Sequence, residues 1–303
     1  MLNGKNNNLN GILVINKPKG ITSFDVVFQI RKIIHQKSIG HTGTLDPDVD
    51  GVLVLVLGAA TKIINLLQEK DKEYQGRALI GIATETQDVS GEIIERKKIV
   101  NPIPETEIDQ KMNNLLGNYL QTPPMYSAIK VNGKRLYEYA RSGVEIERPS
   151  REVQIKDFKR TSEIFLKNNQ QEFDFIAKVS KGTYIRTLIV DLGRKMGYPA
   201  TMKQLTRTMD NGISITNSTN LSEFLENDLN FLESKIIPIE EVLNDTPVYD
   251  LTFQEMKIVQ NGGFLEMNVN ENKVLLKYNQ KIIAIYKKEN NYYRPETMLL
   301  TNQ

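Results

Sequence analysis

The chain has 303 residues, 40% hydrophobic and 25% charged, with a net charge of +2, which is ordinary for a soluble globular protein with one large domain and a small one. It has no cysteine, which excludes disulfides, thiolate catalysis and cysteine-held metals, and its two histidines, His35 and His41, are too few for a histidine-rich metal site. Met1–Asn10 is asparagine-rich without an apolar core, so it does not read as a signal peptide. No apolar stretch reaches the roughly 18 residues of a membrane span, and the protein is expected in the cytoplasm.

In chain order, Ile12–Ile15 is a short apolar strand ended by the turn Asn16-Lys17-Pro18-Lys19-Gly20. Thr22 and Ser23 offer an N-cap, Asp25 lies in the first turn, and Val26, Val27, Ile30, Ile33 and Ile34 at helical spacing mark a buried face. Next comes Gly40-His41-Thr42-Gly43-Thr44-Leu45-Asp46-Pro47-Asp48, then an apolar strand over Val52–Leu57. Glycine and proline supply or fix unusual backbone angles, and a residue before proline is pushed out of the helical region. Asp46 therefore sits on a tightly shaped loop, either as a local hydrogen-bond acceptor in an Asp-Pro turn or as a displayed catalytic side chain.

Thr61–Glu69 reads as a helix, and Asp71–Tyr74 opens a strand running toward Ile82. Thr84–Gly91 is a polar, hairpin-like loop, and Pro104–Leu116 a helix stopped by Gly117. Tyr126–Gly143 is too polar for core and too aromatic for a solvated tether; it holds an Asn132-Gly133 turn and a basic helix, Leu136–Arg141. Arg151–Arg160 and Phe173–Ser180 alternate at period two and read as strands, and Lys181–Arg186 turns into a helix over Thr187–Met196. Leu205–Thr208, Gly212–Ile215 and short helical pieces lead to Leu243. From about Asp245 the chain becomes mostly β, with a helix at Thr252–Gln260 and strands at Val274–Tyr278, Lys281–Tyr286 and Tyr292–Arg294.

Charge is unevenly spread. Ser127–Arg160 carries nine basic and five acidic residues, and Ala177–Asp210 seven basic and two acidic; from Asn211 to the end there are eight basic and thirteen acidic. Basic stretches interleaved with Tyr126, Tyr137, Tyr139, Tyr184 and Tyr198 suit a polyanion with stackable bases, or else form solvated helix faces.

Three motifs in order carry a resemblance. Gly40–Pro47 with Asp50-Gly51, Pro124–Lys130 with the Lys134–Arg141 helix, and Ser180–Arg186 together resemble the bacterial tRNA pseudouridine-55 synthase family over roughly residues 11 to 215. Leu13–Gly20, Lys72–Tyr74 and Leu205–Thr208 fit as well, and the C-terminal module is similar to the PUA RNA-binding domain. The resemblance implies an α+β fold: a catalytic domain over 1–244, with a mixed, largely antiparallel sheet around a central RNA-binding cleft and an RNA-contacting arm at about 124–150, and a PUA-like domain over 245–303.

It further implies an isomerase that converts uridine-55 in the T-loop of tRNA to pseudouridine by flipping the base out. Asp46 matches the family's essential aspartate, Arg186 the arginine paired with it, and Tyr74 the aromatic that stacks on the base. Whether Asp46 attacks C1′ or C6 or removes the C2′ proton stays open. His41, Tyr184, Lys17, Lys130, Lys134, Arg135, Arg141 and Arg207 are expected at the RNA, with Lys17 and Lys130 as loop-bracing or backbone contacts. Breaking N1–C1′ and rejoining through C5 involves no redox change, so no cofactor or metal is expected. The implied partner is the tRNA T-arm, with a monomer that needs no protein partner and no membrane. An RNA-folding protein with a secondary isomerase site, and a guide-RNA-dependent relative, are the alternatives.

Overall fold

The computed structural model describes residues 9–300, which cluster by contact into two compact units. The first comprises the described residues up to Asp46, Leu53–Gln68 and those from Asn217 on; the second comprises Pro47–Val52 and Glu69–Thr216.

In the first unit the strand Gly11–Lys17 pairs in parallel with Thr219–Asn220. Helix Ser23–Ile34 follows, opened by a capping box in which Thr22 and Asp25 satisfy each other's backbone N–H groups. Its buried face is Val26, Val27, Ile30 and Ile34, as the spacing predicts, while Ile33, expected there too, is half-buried. The short strand Ile39–His41 runs antiparallel to the end of Asp50–Leu57, with Ile39 opposite Leu57 and His41 opposite Leu55. Val52–Leu57 is wholly buried, and each such side chain removed from water contributes about 1.5–3 kcal/mol. The helix expected over Thr61–Glu69 is instead a 3-10 turn at Gly58–Ile63 continued by Ile64–Leu67.

The C-terminal module of this unit is a four-stranded sheet in the order Val248–Asp250, Lys273–Tyr278, Lys281–Glu289, Tyr292–Met298. Its first pair is parallel and the others antiparallel. Helix Phe253–Val259, capped by Thr252 and Glu255, packs with it over a core that includes Leu251, Val259, Leu265, Val274 and Leu276.

The second unit is built on antiparallel strands in the order Ala200–Asp210, Lys72–Ile80, Gln170–Val179, Arg151–Arg160, Gly117–Gln121. Asp50-Gly51 adds in parallel beside Thr206-Arg207, so the sheet is mixed and the fold is α+β. Phe158 and Phe175 meet edge to face, centroids 5.7 Å apart, inside it. Ile82–Thr84 and Ile93–Arg96 form the hairpin around the 84–91 loop. Among the strands that escape the sequence reading are Gly117–Gln121, where the glycine looks like a helix stop, and the eleven-residue Ala200–Asp210. The latter carries Thr206, Arg207 and Asp210, whose polarity hides a buried strand.

Candidate active site

The loop at Asp46 is held on both sides. Upstream, Thr42 N–H donates to Val54 O (3.1 Å) and Gln68 Nε2 to Thr42 O (2.6 Å). Buried Ser23, at the start of its helix, takes both polar groups of Leu45: its Oγ accepts from Leu45 N (2.8 Å) and donates to Leu45 O (3.2 Å). Downstream, Thr206 Oγ1 donates to Asp50 Oδ1 (2.6 Å) and Arg207 Nε to Val52 O (2.7 Å). Between them Gly51 has φ +106°, and a Cβ there would lie 2.2 Å from Arg207 O, so only glycine fits this parallel contact. Asp46 is half-buried and Asp48 exposed.

Lys17 and Arg207, expected at the RNA, are closed off from solvent. Lys17 Nζ donates to Pro18 O (2.8 Å) and Ile21 O (2.7 Å), bracing the turn that leads to the first helix. Arg207 lies opposite Tyr74 across the sheet, and its Nη2 is 3.4 Å from Asp210 Oδ2. Asp210 also bonds Lys72, so two cations share one carboxylate in the interior. Burial pulls the Lys72 ammonium below its ordinary value while Asp210 opposes that shift. Tyr74 is buried on the same strand as Lys72.

Arg186 is in the first turn of helix Ile185–Lys195, which begins two residues earlier than the spacing predicts. Arg186 is 5% exposed; its Nη1 donates to Thr86 O (2.7 Å) and its Nη2 to Tyr126 O (2.9 Å). Asp88 Oδ2 lies 3.8 Å from Nη1. Asp88 is itself aimed by its loop, since Oδ1 accepts from Thr86 Oγ1 (2.7 Å) and Ser90 N (3.1 Å). Sequence reasoning did not single out Asp88; the Thr86-x-Asp88-x-Ser90 pattern of an Asx turn is the signal that could have found it. Tyr184, half-buried, stands just before this helix with the Arg151 guanidinium 5.7 Å from its ring centroid.

The arm is different in kind. Lys130-Val131 and Lys134-Arg135 form a tight hairpin over Asn132 and Gly133, both at positive φ (51° and 84°). Lys130, Lys134, Arg135 and Arg141 are all exposed. Arg135 and Arg141 stand 5.8 and 5.4 Å from the Tyr137 ring centroid, while buried Leu136 anchors the short helix Leu136–Arg141.

Residues 31–185 match the family model for the TruB family pseudouridylate synthase (N terminal domain). The chain belongs to that family. The tRNA pseudouridine synthase B of Oenococcus oeni is 44% identical over 294 residues, covering 96% of this chain and 98% of that protein. Its counterparts in Lactobacillus johnsonii (43%; 97% and 100% covered) and Streptococcus sanguinis (44%; 96% and 100% covered) match along similar lengths. Among solved structures, a Cbf5-Nop10-Gar1 complex matches at TM-score 0.67 and 22% identity, covering 96% of this chain and 85% of that one. An H/ACA RNP bound to a substrate RNA matches at TM-score 0.66 and 20% identity, covering 96% and 85%. These two show the fold, mixed sheet and small C-terminal sheet included.

As a pseudouridylate synthase the chain is an isomerase. Among the described residues no cluster of three or more His, Asp or Glu is arranged to hold a metal. No helix among them is long and apolar enough to cross a membrane.

Proposed function

We propose that this pseudouridine synthase isomerises uridine-55 in the T-loop of tRNA, with Asp46 as its essential carboxylate. Base and ribose part at N1–C1′ and rejoin at C5, whose proton is lost while N1 takes one up. Asp46 serves as nucleophile or as proton-abstracting base, Arg186 holds it ionised and Tyr74 stacks on the base. A carboxylate in a partly dry site resists ionisation, which is why a guanidinium belongs beside it. Flipping the base costs about a few kcal/mol, which binding must recover. Lys130, Lys134, Arg135 and Arg141 are its RNA contacts, joined by His41 and Tyr184. Lys17 and Arg207 serve by shaping the backbone. The near full-length likeness to tRNA pseudouridine synthases B supports the substrate.

The observation that carries the role of Asp46 is its loop, pinned at Leu45 by Ser23 and at Asp50 and Val52 by Thr206 and Arg207. Residues 1–244 form the catalytic domain with its arm at about 124–150, and 245–303 a PUA-like RNA-binding domain. The protein acts as a cytoplasmic monomer on tRNA without an obligatory protein partner. Purified protein incubated with T-arm RNA tests this: Asp46→Asn is expected to lose about 10³-fold or more in rate while still binding RNA. Equal conversion by both proteins removes Asp46 from the chemistry.

A further inference from the structure

Gln121 ends the strand Gly117–Gln121 and is 1% exposed, yet its side chain reaches a residue 63 positions away. Its Oε1 accepts from Tyr184 N (2.7 Å) and its Nε2 donates to Tyr184 O (3.1 Å). One planar amide thus occupies both backbone groups of a single residue, as a neighbouring strand would.

Tyr184 is the N-cap of helix Ile185–Lys195, with φ −95° and ψ 109° and no side-chain cap of its own. Its carbonyl also accepts from Leu188 N (3.0 Å), so both acceptor positions of that oxygen are used. The peptide planes before and after Tyr184 are therefore set by Gln121, and they determine how the chain enters the turn that carries Arg186 two residues later.

The chain leaving Gln121 returns to the same place. Thr122-Pro123-Pro124-Met125 leads to Tyr126, whose carbonyl accepts from Arg186 Nη2 (2.9 Å). The two prolines fix φ along the way, so the segment is a stiff link. Gln121–Tyr126 thereby grips the Arg186 turn twice, at the backbone of Tyr184 and at the guanidinium itself. On the other side Thr86 O holds Nη1, and Gln87 Oε1 accepts from Thr187 Oγ1 (2.8 Å).

We propose that Gln121 is a positioning residue of the isomerisation: its amide fixes Tyr184 so that Arg186 presents its guanidinium in the productive orientation. Glutamine suits the position because an amide carries donor and acceptor on one rigid plane. An ionised glutamate offers no donor and sets an anion against the Tyr184 carbonyl. Methionine fills the same space and takes from the half-buried Tyr184 N–H its acceptor. This inference rests on the reading that Arg186 serves the reaction.

The test compares wild type, Gln121→Met, Gln121→Glu and Arg186→Gln on T-arm RNA, measuring kcat, KM, the pH profile and the folded fraction by circular dichroism. Displacement of a catalytic group by about 1 Å costs on the order of 10²-fold in rate. Gln121→Met is therefore expected to lower kcat by about 10- to 100-fold with KM changed less than about twofold, at an unchanged folded fraction. Gln121→Glu is expected to lose as much at neutral pH and to recover kcat as pH falls, because the protonated acid regains an O–H donor beside its carbonyl acceptor. Wild type lacks that recovery. Wild-type kcat in Gln121→Met, a Gln121→Glu profile parallel to wild type, or losses that only track unfolding in both variants overturn the proposal. Arg186→Gln at wild-type rate instead overturns the role of Arg186. An inactive Arg186→Gln beside a fully active Gln121→Met removes Gln121 alone.

Discussion

Beneath the C-terminal sheet the interior is apolar: Leu251, Val259, Leu265, Val274, Leu276, Ile283 and Ala284 close on one another. Tyr286 and Tyr293 join them by donating their hydroxyls to the carbonyls of Gly263 (2.8 Å) and Val269 (2.9 Å). In the second unit, Lys72, Arg207 and Asp210 are closed from water to the same degree but are charged. Apolar burial stabilises in proportion to area and is indifferent to small shifts of angle. A buried ion cluster adds little net stability, because desolvation offsets most of its attraction, but it holds its members to one geometry. The ionic interior sits where Arg207 Nε fixes Val52 O, in the segment that follows Asp46.

Three measurements sharpen or break that contrast. Asp210→Asn leaves two buried cations without their carboxylate, and the expected loss is about 3–5 kcal/mol in denaturant unfolding, with activity falling further than stability. If activity simply follows the folded fraction, the cluster is ordinary packing and the contrast fails. Leu276→Ala opens a cavity under the C-terminal sheet at about 2–5 kcal/mol. Its thermal transition is expected to drop, while kcat on T-arm RNA measured below that transition stays within about twofold of wild type. A kcat loss as deep as that of Asp210→Asn would show that the apolar module also shapes the site. Smallest are the arm changes: Lys134→Ala or Arg135→Ala is expected to weaken RNA binding modestly and to reduce the slope of log K against log salt by about 1 each. An unchanged slope at both positions would take the phosphate contacts elsewhere.

Local chemistry made much of this legible. Thr22 and Asp25 announce a helix start, and the period of Val26, Val27, Ile30 and Ile34 names its buried face. The glycines and Pro47 around Asp46 mark a constrained loop, and Asn132-Gly133 marks the turn of the arm. The Ala200–Asp210 strand was illegible for a physical reason. Past Leu205 its buried positions are Arg207 and Asp210, so the apolar alternation that signals a strand is absent where the strand does its fastening. Lys17 and Arg207 read as RNA contacts, because nothing local shows the carbonyls and carboxylate that enclose them.

The sequence by itself determined the family, the isomerase chemistry it implies, the mixed α+β class and the loop that presents Asp46, since each depends on neighbours within a few residues or on ordered motifs. Only the tertiary structure decided which polar side chains fasten that machinery. Arg207 meets Val52 across 155 positions, Gln121 meets Tyr184 across 63, and Arg186 meets Thr86 across 100. A hydrogen bond is directional over about 3 Å, so its partner is set by how strands are ordered in the sheet, and no local pattern in the chain encodes that order.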